Sequence, residues 1–216
     1  GSFDSGLAGL LAARITANVG FLVGGRMTSR NVDVGAAVKP GDLIAKLDPS
    51  DLQNQLTAAE AQVKAAQAAV AQATPQEAAK KKLLKDGFTT QADYDQALKA
   101  LQSAQADLQA AEANQKLAAD QLNYATLNSP VTGVVTQIGA EAGQVVQAGQ
   151  MIVQVAETGA LDAVFSVAAK AASLAKLGMP VKVTLQDNPS ISVTGSLREI
   201  SPSADPVTGT YQAKVS

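Results

Sequence analysis

The side chains that most readily carry out chemistry in proteins are scarce in this sequence. Its 216 residues include no cysteine and no histidine. Their absence removes thiol nucleophiles, serine–histidine–aspartate triads and the usual protein ligands of zinc and iron. The three methionines, Met27, Met151 and Met179, carry thioethers that soft metal ions accept. Because no histidine or cysteine can complete a ligand set, we expect neither a metal site nor a bound cofactor.

Paired carboxylates are the other candidates for catalysis, and Asp93 and Asp95 form such a pair. Residues two apart on a helix face different sides, so these two carboxylates cannot act together on one bond. The net charge of -2 provides no broad electrostatic attraction for nucleic acid. The sequence therefore predicts neither an enzyme nor a nucleic-acid-binding protein.

The structural elements follow from two abrupt changes in composition. Residues 51–125 contain 22 alanines and 13 glutamines but only one glycine and one proline. The two flanking segments contain the other 16 glycines and seven prolines. Alanine and glutamine favour helices, whereas glycine and proline mark the turns between strands. We therefore predict an α+β chain that is mostly β, with a helical middle.

Within the helical middle, apolar residues recur in alternating steps of three and four, which is typical of the contact seam of a coiled coil. The larger residues of this seam are Leu52, Leu56, Val63, Val70, Leu101, Leu108 and Leu122. A short turn separates the two rows, where Gly87 suits the left-handed position after a helix and Thr90 suits an N-cap. Two arms of 36 residues, 51–86 and 90–125, then form an antiparallel hairpin. Each arm is about 54 Å long.

One dipeptide disturbs the first arm. Thr74, Pro75 and Glu77 have the residue types of the N-cap, N1 and N3 positions of a new helix. Glu77 and Lys80 nevertheless continue the spacing of the seam. We therefore expect a kink or a short restart near residue 74, and not the end of the arm.

The two flanks repeat each other with an offset of 108 residues. The matching pairs are Gly25 and Gly133, Met27 and Val135, Gly35 and Gly143, Val38 and Val146, Gly41 and Gly149, Leu43 and Met151, Ile44 and Ile152, and Leu47 and Val155. A repeat of this kind is one structural unit that needs its neighbour to bury an apolar face. We predict that the two half-modules pack as a small flattened β-barrel, with the hairpin inserted between them. Met27 and Met151 then fall at core positions.

These half-modules resemble the two halves of a biotinyl/lipoyl domain. In the carrier proteins of that family, a lysine in the turn between the halves bears the cofactor. The resemblance places Asp51 at that position, and Lys46 lies within a predicted strand. A carboxylate cannot form the required amide link, so a lipoyl or biotinyl carrier is disfavoured.

A lipoyl-like domain that is split by a helical hairpin resembles the periplasmic adaptor, or membrane fusion, subunits of tripartite efflux pumps. The passages that carry the resemblance are Val19–Arg26, Val38–Asp42, Leu47–Pro49, Ser129–Gly133 and Ile200–Pro206. Together they extend over about residues 12–216, and Phe21–Arg26 is most similar to adaptors of resistance–nodulation–division (RND) systems.

The resemblance implies three parts. Residues 19–50 and 126–156 form the lipoyl-like β-sandwich, residues 51–125 form the hairpin, and residues 1–18 and 157–216 form part of an antiparallel β-barrel. Relatives complete this barrel and add a membrane-proximal domain, so the resemblance also implies that this chain is a piece of a longer protein.

The implied function is that of a structural adaptor in the periplasm of a Gram-negative bacterium, anchored to the inner membrane. It would link an inner-membrane efflux transporter to a trimeric outer-membrane channel in multidrug resistance. Self-association into a ring of six would turn the hairpins into a conduit. A type I secretion adaptor, whose hairpins are longer, and a coiled-coil scaffold remain the alternatives.

The resemblance also implies a docking site for the channel at the hairpin tip. Relatives use an arginine, a leucine and a serine there, and the matching positions are Ala79, Leu83 and Thr90. Lys80 stands beside the missing arginine but cannot form a bidentate contact. The implied docking residues are Lys80, Leu83, Leu84, Asp86, Gly87, Phe88, Thr89 and Thr90.

A purely structural role for the same residues is the alternative. Leu83 would pack in the seam, Thr90 would cap the second arm, and the lysines would complement the helix dipole. Phe88 is an apolar aromatic residue at a predicted exposed turn, and we hypothesise that it inserts into a groove of the channel.

Overall fold

The structure, a computed structural model, describes residues 7–216; residues 1–6, which the sequence assigned to the β-barrel, lie outside the described part. Its strands are β1 (Gly9–Ala13), β2 (Thr16–Val19), β3 (Gly25–Arg30), β4 (Ala37–Val38), β5 (Leu43–Leu47), β6 (Thr126–Asn128), β7 (Gly133–Ile138), β8 (Val145–Val146), β9 (Val153–Glu157), β10 (Leu161–Val167), β11 (Pro180–Thr184), β12 (Ser192–Ile200) and β13 (Tyr211–Val215). Its helices are α1 (Ser50–Lys85), α2 (Gln91–Asn123) and α3 (Ala169–Leu174). The mixture of antiparallel sheets with a long helical pair confirms the predicted α+β class.

Two four-stranded sheets, with strand orders β2-β9-β7-β4 and β6-β5-β3-β8, make up the lipoyl-like unit. Each strand in one sheet is the repeat counterpart of the strand at the same place in the other sheet. The two-residue strands cross over, because β4 of the first repeat pairs with β7 of the second, and β8 of the second pairs with β3 of the first. Neither repeat can therefore complete a sheet without the other.

Reciprocal hydrogen bonds join the two repeats at equivalent positions. The N–H of Gly35 donates to the carbonyl of Val135 at 2.8 Å, and the N–H of Gly143 donates to the carbonyl of Met27 at 2.7 Å. Both glycines have a left-handed backbone, with φ of 92° and 93°. This conformation requires glycine in both copies, since a side chain would be strained there.

The core of this unit lies between the two sheets and draws on both repeats equally. Its buried residues include Val19, Phe21, Met27, Val38, Ile44, Leu47, Leu127, Val135, Val146, Ile152, Val153 and Val155. Most of them occupy apolar positions that the two repeats share, so the repeated sequence pattern specifies the core. Met27 is fully buried and Met151 is half-buried.

Helices α1 and α2 leave this core as an antiparallel hairpin. Every less exposed residue of α1 falls on one row of alternating steps of three and four: 52, 56, 59, 63, 66, 70, 73, 77, 80 and 84. Val63 is buried in the seam. The other six large seam residues that the sequence predicted are half-buried: Leu52, Leu56, Val70, Leu101, Leu108 and Leu122. Only Val63 and Ala73 of α1 and Ala104 and Ala118 of α2 are buried. The hairpin is therefore thin, with one seam and solvent on its other faces.

Of the two expectations for residue 74, a kink or a short restart, the restart is wrong, and the arm continues past this point as predicted. Helix α1 runs without interruption through Pro75, and Thr74 is not an N-cap, because its hydroxyl donates to the carbonyl of Val70 at 2.7 Å. The seam keeps its spacing across the proline. Because the hydroxyl of Thr74 bonds to the carbonyl four residues before it, Thr74 can stay within the helix and need not begin a new one. Packing along the continuous seam then favours the uninterrupted helix.

The remaining strands form a five-stranded antiparallel sheet with the order β1-β10-β13-β12-β11. Its small core contains Ala163, Leu197, Ala213 and Val215. Within residues 7–216, none of the helices combines the length and apolarity needed to span a membrane.

A buried carboxylate ties the first strand of this sheet to its centre. Asp162 is 2% exposed and accepts hydrogen bonds from Arg14, at 3.2 Å, and from Arg198. The bond from Arg198, assisted by that from Arg14, lowers the pKa of Asp162. A buried charge needs such partners, because an unpaired carboxylate would be costly there.

The two left-handed glycines provide a test of the interlocked repeats. Gly35→Ala and Gly143→Ala should each lower the free energy of unfolding by about 1–2 kcal/mol, because a Cβ there meets open space and only backbone strain is added. Urea denaturation of the two variants measures the loss. Val34→Ala, an exposed change in the same turn, is the control and should stay within about 0.5 kcal/mol of the parent. Two glycine variants as stable as the parent would contradict the requirement.

Pro75 should cost stability in the uninterrupted helix, since it removes one backbone donor and crowds the preceding turn. We expect Pro75→Ala to raise the free energy of unfolding by about 1–3 kcal/mol. Chemical denaturation followed by helical circular dichroism measures this gain. Ala78→Gly at an exposed position of the same arm is the opposite control and should lower stability. A Pro75→Ala variant no more stable than the parent would show that the helix accommodates proline without strain.

Candidate docking site at the hairpin tip

The hairpin tip, defined here as residues 80–90, begins with a well-formed end to helix α1. The N–H of Gly87 donates to the carbonyl of Leu84 at 3.1 Å, and the N–H of Phe88 donates to the carbonyl of Leu83 at 2.8 Å. With φ of 78° at Gly87, this pair of bonds is a Schellman motif. Two carbonyls that the helix leaves free are thus satisfied, and the turn has one defined shape.

Helix α2 begins with an equally defined cap. Thr90 is the N-cap, and its hydroxyl accepts the N–H of Asp93 at 3.1 Å, as the sequence predicted. The hydroxyl of Thr89 donates to the Asp93 carboxylate at 3.1 Å. A carboxylate in the first turn also interacts favourably with the helix dipole. The turn between the arms is therefore fixed by hydrogen bonds at both ends.

A hydrogen bond across the seam joins the arms below the tip. The phenol of Tyr94 donates to the carboxylate of Glu77 at 2.9 Å, and this bond raises the pKa of Tyr94. The sequence analysis missed this pair. Its signal was available, because both residues occupy seam positions where an apolar residue is expected.

The tip presents apolar surface to solvent. Phe88 is 79% exposed and Leu83 is 39% exposed, whereas Leu84 is half-buried in the seam. The structural alternative that placed Leu83 in the seam is therefore wrong. An exposed phenylalanine on a rigid turn is ready to fill a pocket on a partner, since little ordering of the chain is needed.

The charged side chains of the tip are arranged unevenly between the arms. Ala79, at the position of the relatives' arginine, is exposed, and Lys80 beside it is half-buried in the seam. Lys81, Lys82 and Lys85 are exposed. Among residues 7–216, no carboxylate lies within 4.0 Å of any of these lysines, and no group of three or more acidic residues is placed to hold a metal ion.

The remaining predicted tip residues support the turn. Asp86 is the C-cap of α1 and Gly87 is the left-handed residue after it, so both set the direction of the chain into Phe88. Thr89 and Thr90 hold the start of α2. The tip thus combines residues that fix its shape with two apolar side chains that are left in solvent.

This chain is similar to proteins of a known family. Residues 15–158 match the family described as RND MFP, barrel-sandwich hybrid domain. The multidrug resistance protein MdtE of Escherichia coli K12 is 29% identical over 201 residues, which cover 87% of this chain and 52% of MdtE. The multidrug resistance protein MdtA of Yersinia enterocolitica is 28% identical over 222 residues, covering 97% of this chain and 50% of MdtA. The chain spans about half the length of these relatives.

A solved structure resembles the whole arrangement. The membrane fusion protein Spr0693 of Streptococcus pneumoniae matches with a TM-score of 0.75 over 96% of this chain and 90% of that protein. At 20% sequence identity this likeness concerns the fold alone.

The cap at Thr90 should matter to stability independently of any partner. Thr90→Ala removes the acceptor for the N–H of Asp93, and we expect the free energy of unfolding to fall by about 1 kcal/mol. Thr90→Ser keeps the hydroxyl and should lose only a small part of this. Thermal denaturation of the three proteins distinguishes them, and equal losses from alanine and serine would contradict the capping role.

Proposed function

The chain belongs to the RND membrane fusion proteins, and on that basis we propose that it is the periplasmic adaptor of a tripartite efflux pump. In this role it joins an inner-membrane transporter to an outer-membrane channel and performs no catalysis itself. The relatives MdtE and MdtA are named multidrug resistance proteins, which supports small toxic compounds as the exported substrates.

The observation that carries the proposal is the exposed Phe88 at the end of a stiff two-helix arm. Helix α1 has 36 residues, and a helix of that length reaches about 54 Å from the β core. Hydrogen bonds on both sides of the turn hold Phe88 in solvent at 79% exposure. An arm of this kind delivers an apolar contact to a distant partner, and the outer-membrane channel is the partner that we assign to it.

We assign the parts of the chain as follows. Residues 19–50 and 126–156 form the lipoyl-like domain, residues 51–125 form the hairpin, and the described residues up to 18 with 157–216 form part of a β-barrel. The barrel part contacts the transporter in this proposal. Support comes from its edge strand β1, where Leu10 and Leu11 are both exposed, an unusual pair to leave in water.

Several copies side by side would form a ring whose hairpins make a conduit toward the channel, and six is the number that we propose. Support comes from the hairpin itself, since its single seam leaves long alanine-rich faces in solvent. Small side chains allow neighbouring helices to approach closely, so these faces can pack against further copies. In this proposal, the assembled protein lies in the periplasm and is attached to the inner membrane.

The proposal is tested by chemical cross-linking in living cells of the natural host, followed by purification of the protein from solubilised membranes. A transporter and an outer-membrane channel should both be recovered with it and identified by mass spectrometry. Recovery of neither protein, under conditions in which a known adaptor of the same cell retains both, would overturn the adaptor role.

The tip contact has its own test. Phe88→Ala should abolish most drug resistance and most cross-linking to the channel while leaving thermal stability unchanged, because the ring is exposed. Leu117→Ala removes another exposed apolar side chain, at 57% exposure on α2 and away from the tip, and is the matched control. Drug resistance and channel cross-linking equal to the parent in Phe88→Ala would remove Phe88 from the docking site.

A further inference from the structure

The two arms of the hairpin have opposite charge near the tip. The last six residues of α1 include Lys80, Lys81, Lys82 and Lys85, while the first five of α2 include Asp93 and Asp95. Within the described residues, none of these four lysines forms a salt bridge. Asp95 accepts a hydrogen bond from Gln91 at 2.8 Å and has no cationic partner among those residues. Complementary charges are thus present on one chain but are not joined to each other.

The reason lies in the direction of the side chains. Lys82 stands two residues after Lys80 and two before Leu84, which are both seam positions, so it points away from the second arm. Asp95 lies between the seam residues Tyr94 and Ala97 and is exposed. It therefore lies on the outward half of α2. The hairpin's own width separates the two charges.

Both charges lie near the tip, and the Tyr94–Glu77 bond sets Asp95 lower on the arm than Lys82. Lys82 is four residues before Asp86, and Asp95 is four residues after Gln91. Each is therefore roughly 6 Å below its end of the turn, at 1.5 Å per residue. Lys85 lies one turn closer to the tip, with a side chain long enough to reach down toward the level of Lys82. Side chains on a helix lean toward its N-terminus, which brings the lysines down and Asp95 up.

We propose that Lys82 and Lys85 of one chain pair with Asp95 of a second copy whose hairpin lies beside it and points the same way. The basic edge of α1 then meets the acidic edge of the neighbour's α2 near the tip, where the lysines lean down and Asp95 leans up toward each other. Each copy presents its lysines to one neighbour and its Asp95 to the other, so the contact is heterologous and continues from copy to copy.

This pairing rests on the ring that we propose above and adds what sets its direction and register. Exposed ion pairs contribute little affinity, but they disfavour wrong orientations and fix alignment. A neighbour pointing the opposite way would bring Lys82 beside the base of a hairpin, far from any Asp95. A neighbour that slipped along the arm would separate the charges as well. The charges therefore select parallel hairpins with their tips level.

Cysteine cross-linking tests the pairing directly, since these 216 residues contain no cysteine; any cysteine elsewhere in the protein is first replaced by serine. In the natural protein in its own cells, Lys82→Cys combined with Asp95→Cys should yield a ladder of oligomers with a short bismaleimide. Each single variant should give at most a dimer. Lys64→Cys combined with Asp95→Cys is the matched control; Lys64 is exposed but lies 18 residues lower on α1, roughly 27 Å away along the axis, and should give no ladder.

Charge exchange supplies a second measurement. Asp95→Lys should weaken association of the purified protein about threefold per contact, the size expected of an exposed ion pair. Lys82→Glu with Lys85→Glu should weaken it similarly, and the three changes together should restore it. Sedimentation velocity at low and high salt measures the association, and the difference between parent and Asp95→Lys should shrink as salt rises.

The outcomes separate this pairing from the proposed function. Oligomers without a ladder from the 82–95 pair would overturn the pairing and leave the adaptor role intact. Loss of channel cross-linking in Lys82→Glu with Lys85→Glu, while association stays at the parental level, would overturn it too and assign the lysines to the channel. A ladder together with restored association in the triple variant would support it.

Discussion

The structure depends on the exchange of two-residue strands between the halves of the lipoyl-like unit. Strand β4 completes the sheet that β7 and β9 of the second repeat begin, and β8 completes the sheet of β3 and β5. Each repeat alone would leave an open edge and an uncovered apolar face, which is costly in water. The halves must therefore meet, although 75 residues separate them. Because the chain is continuous, the segment between the halves must then leave the β unit and return to it at the same point.

The hairpin is the insertion that satisfies this requirement. Strand β5 ends three residues before α1 begins, and β6 begins three residues after α2 ends. These two strands pair with each other, with Lys46 opposite Thr126, and the N–H of Leu47 donates to the carbonyl of Ala125 at 2.8 Å. The base of the hairpin is thus clamped by a sheet, while its tip is clamped by the Schellman motif and the Thr90 cap. Between these clamps a single seam keeps the arms together.

The elements that the sequence predicted well are those with a strict period. The 108-residue repeat has its counterpart in reciprocal hydrogen bonds at Gly35 and Gly143, because a left-handed turn leaves no substitute for glycine. The helix does not restart at Pro75, because local helix-start signals compete with a seam that extends over the whole arm, and the longer pattern prevails. The crossing of β4 and β8 depends on three-dimensional pairing, which spacing along the chain does not report. The docking role of the tip remains a prediction.

The thin seam has a consequence for how the arm works. Only four residues of helices α1 and α2 are buried, three of them alanine, so the helices gain little from each other by burial of apolar area. A long helix that is solvated on most sides is marginal unless packing supports it. The clamps supply that support at the two ends of the hairpin, whereas the middle is held by a single row of mostly half-buried side chains. Side-by-side packing would add support along the middle, where alanine lets neighbours approach closely. In the proposed ring, an arm built this way would gain stiffness as copies assemble, so that it would hold Phe88 at a fixed distance from the β core.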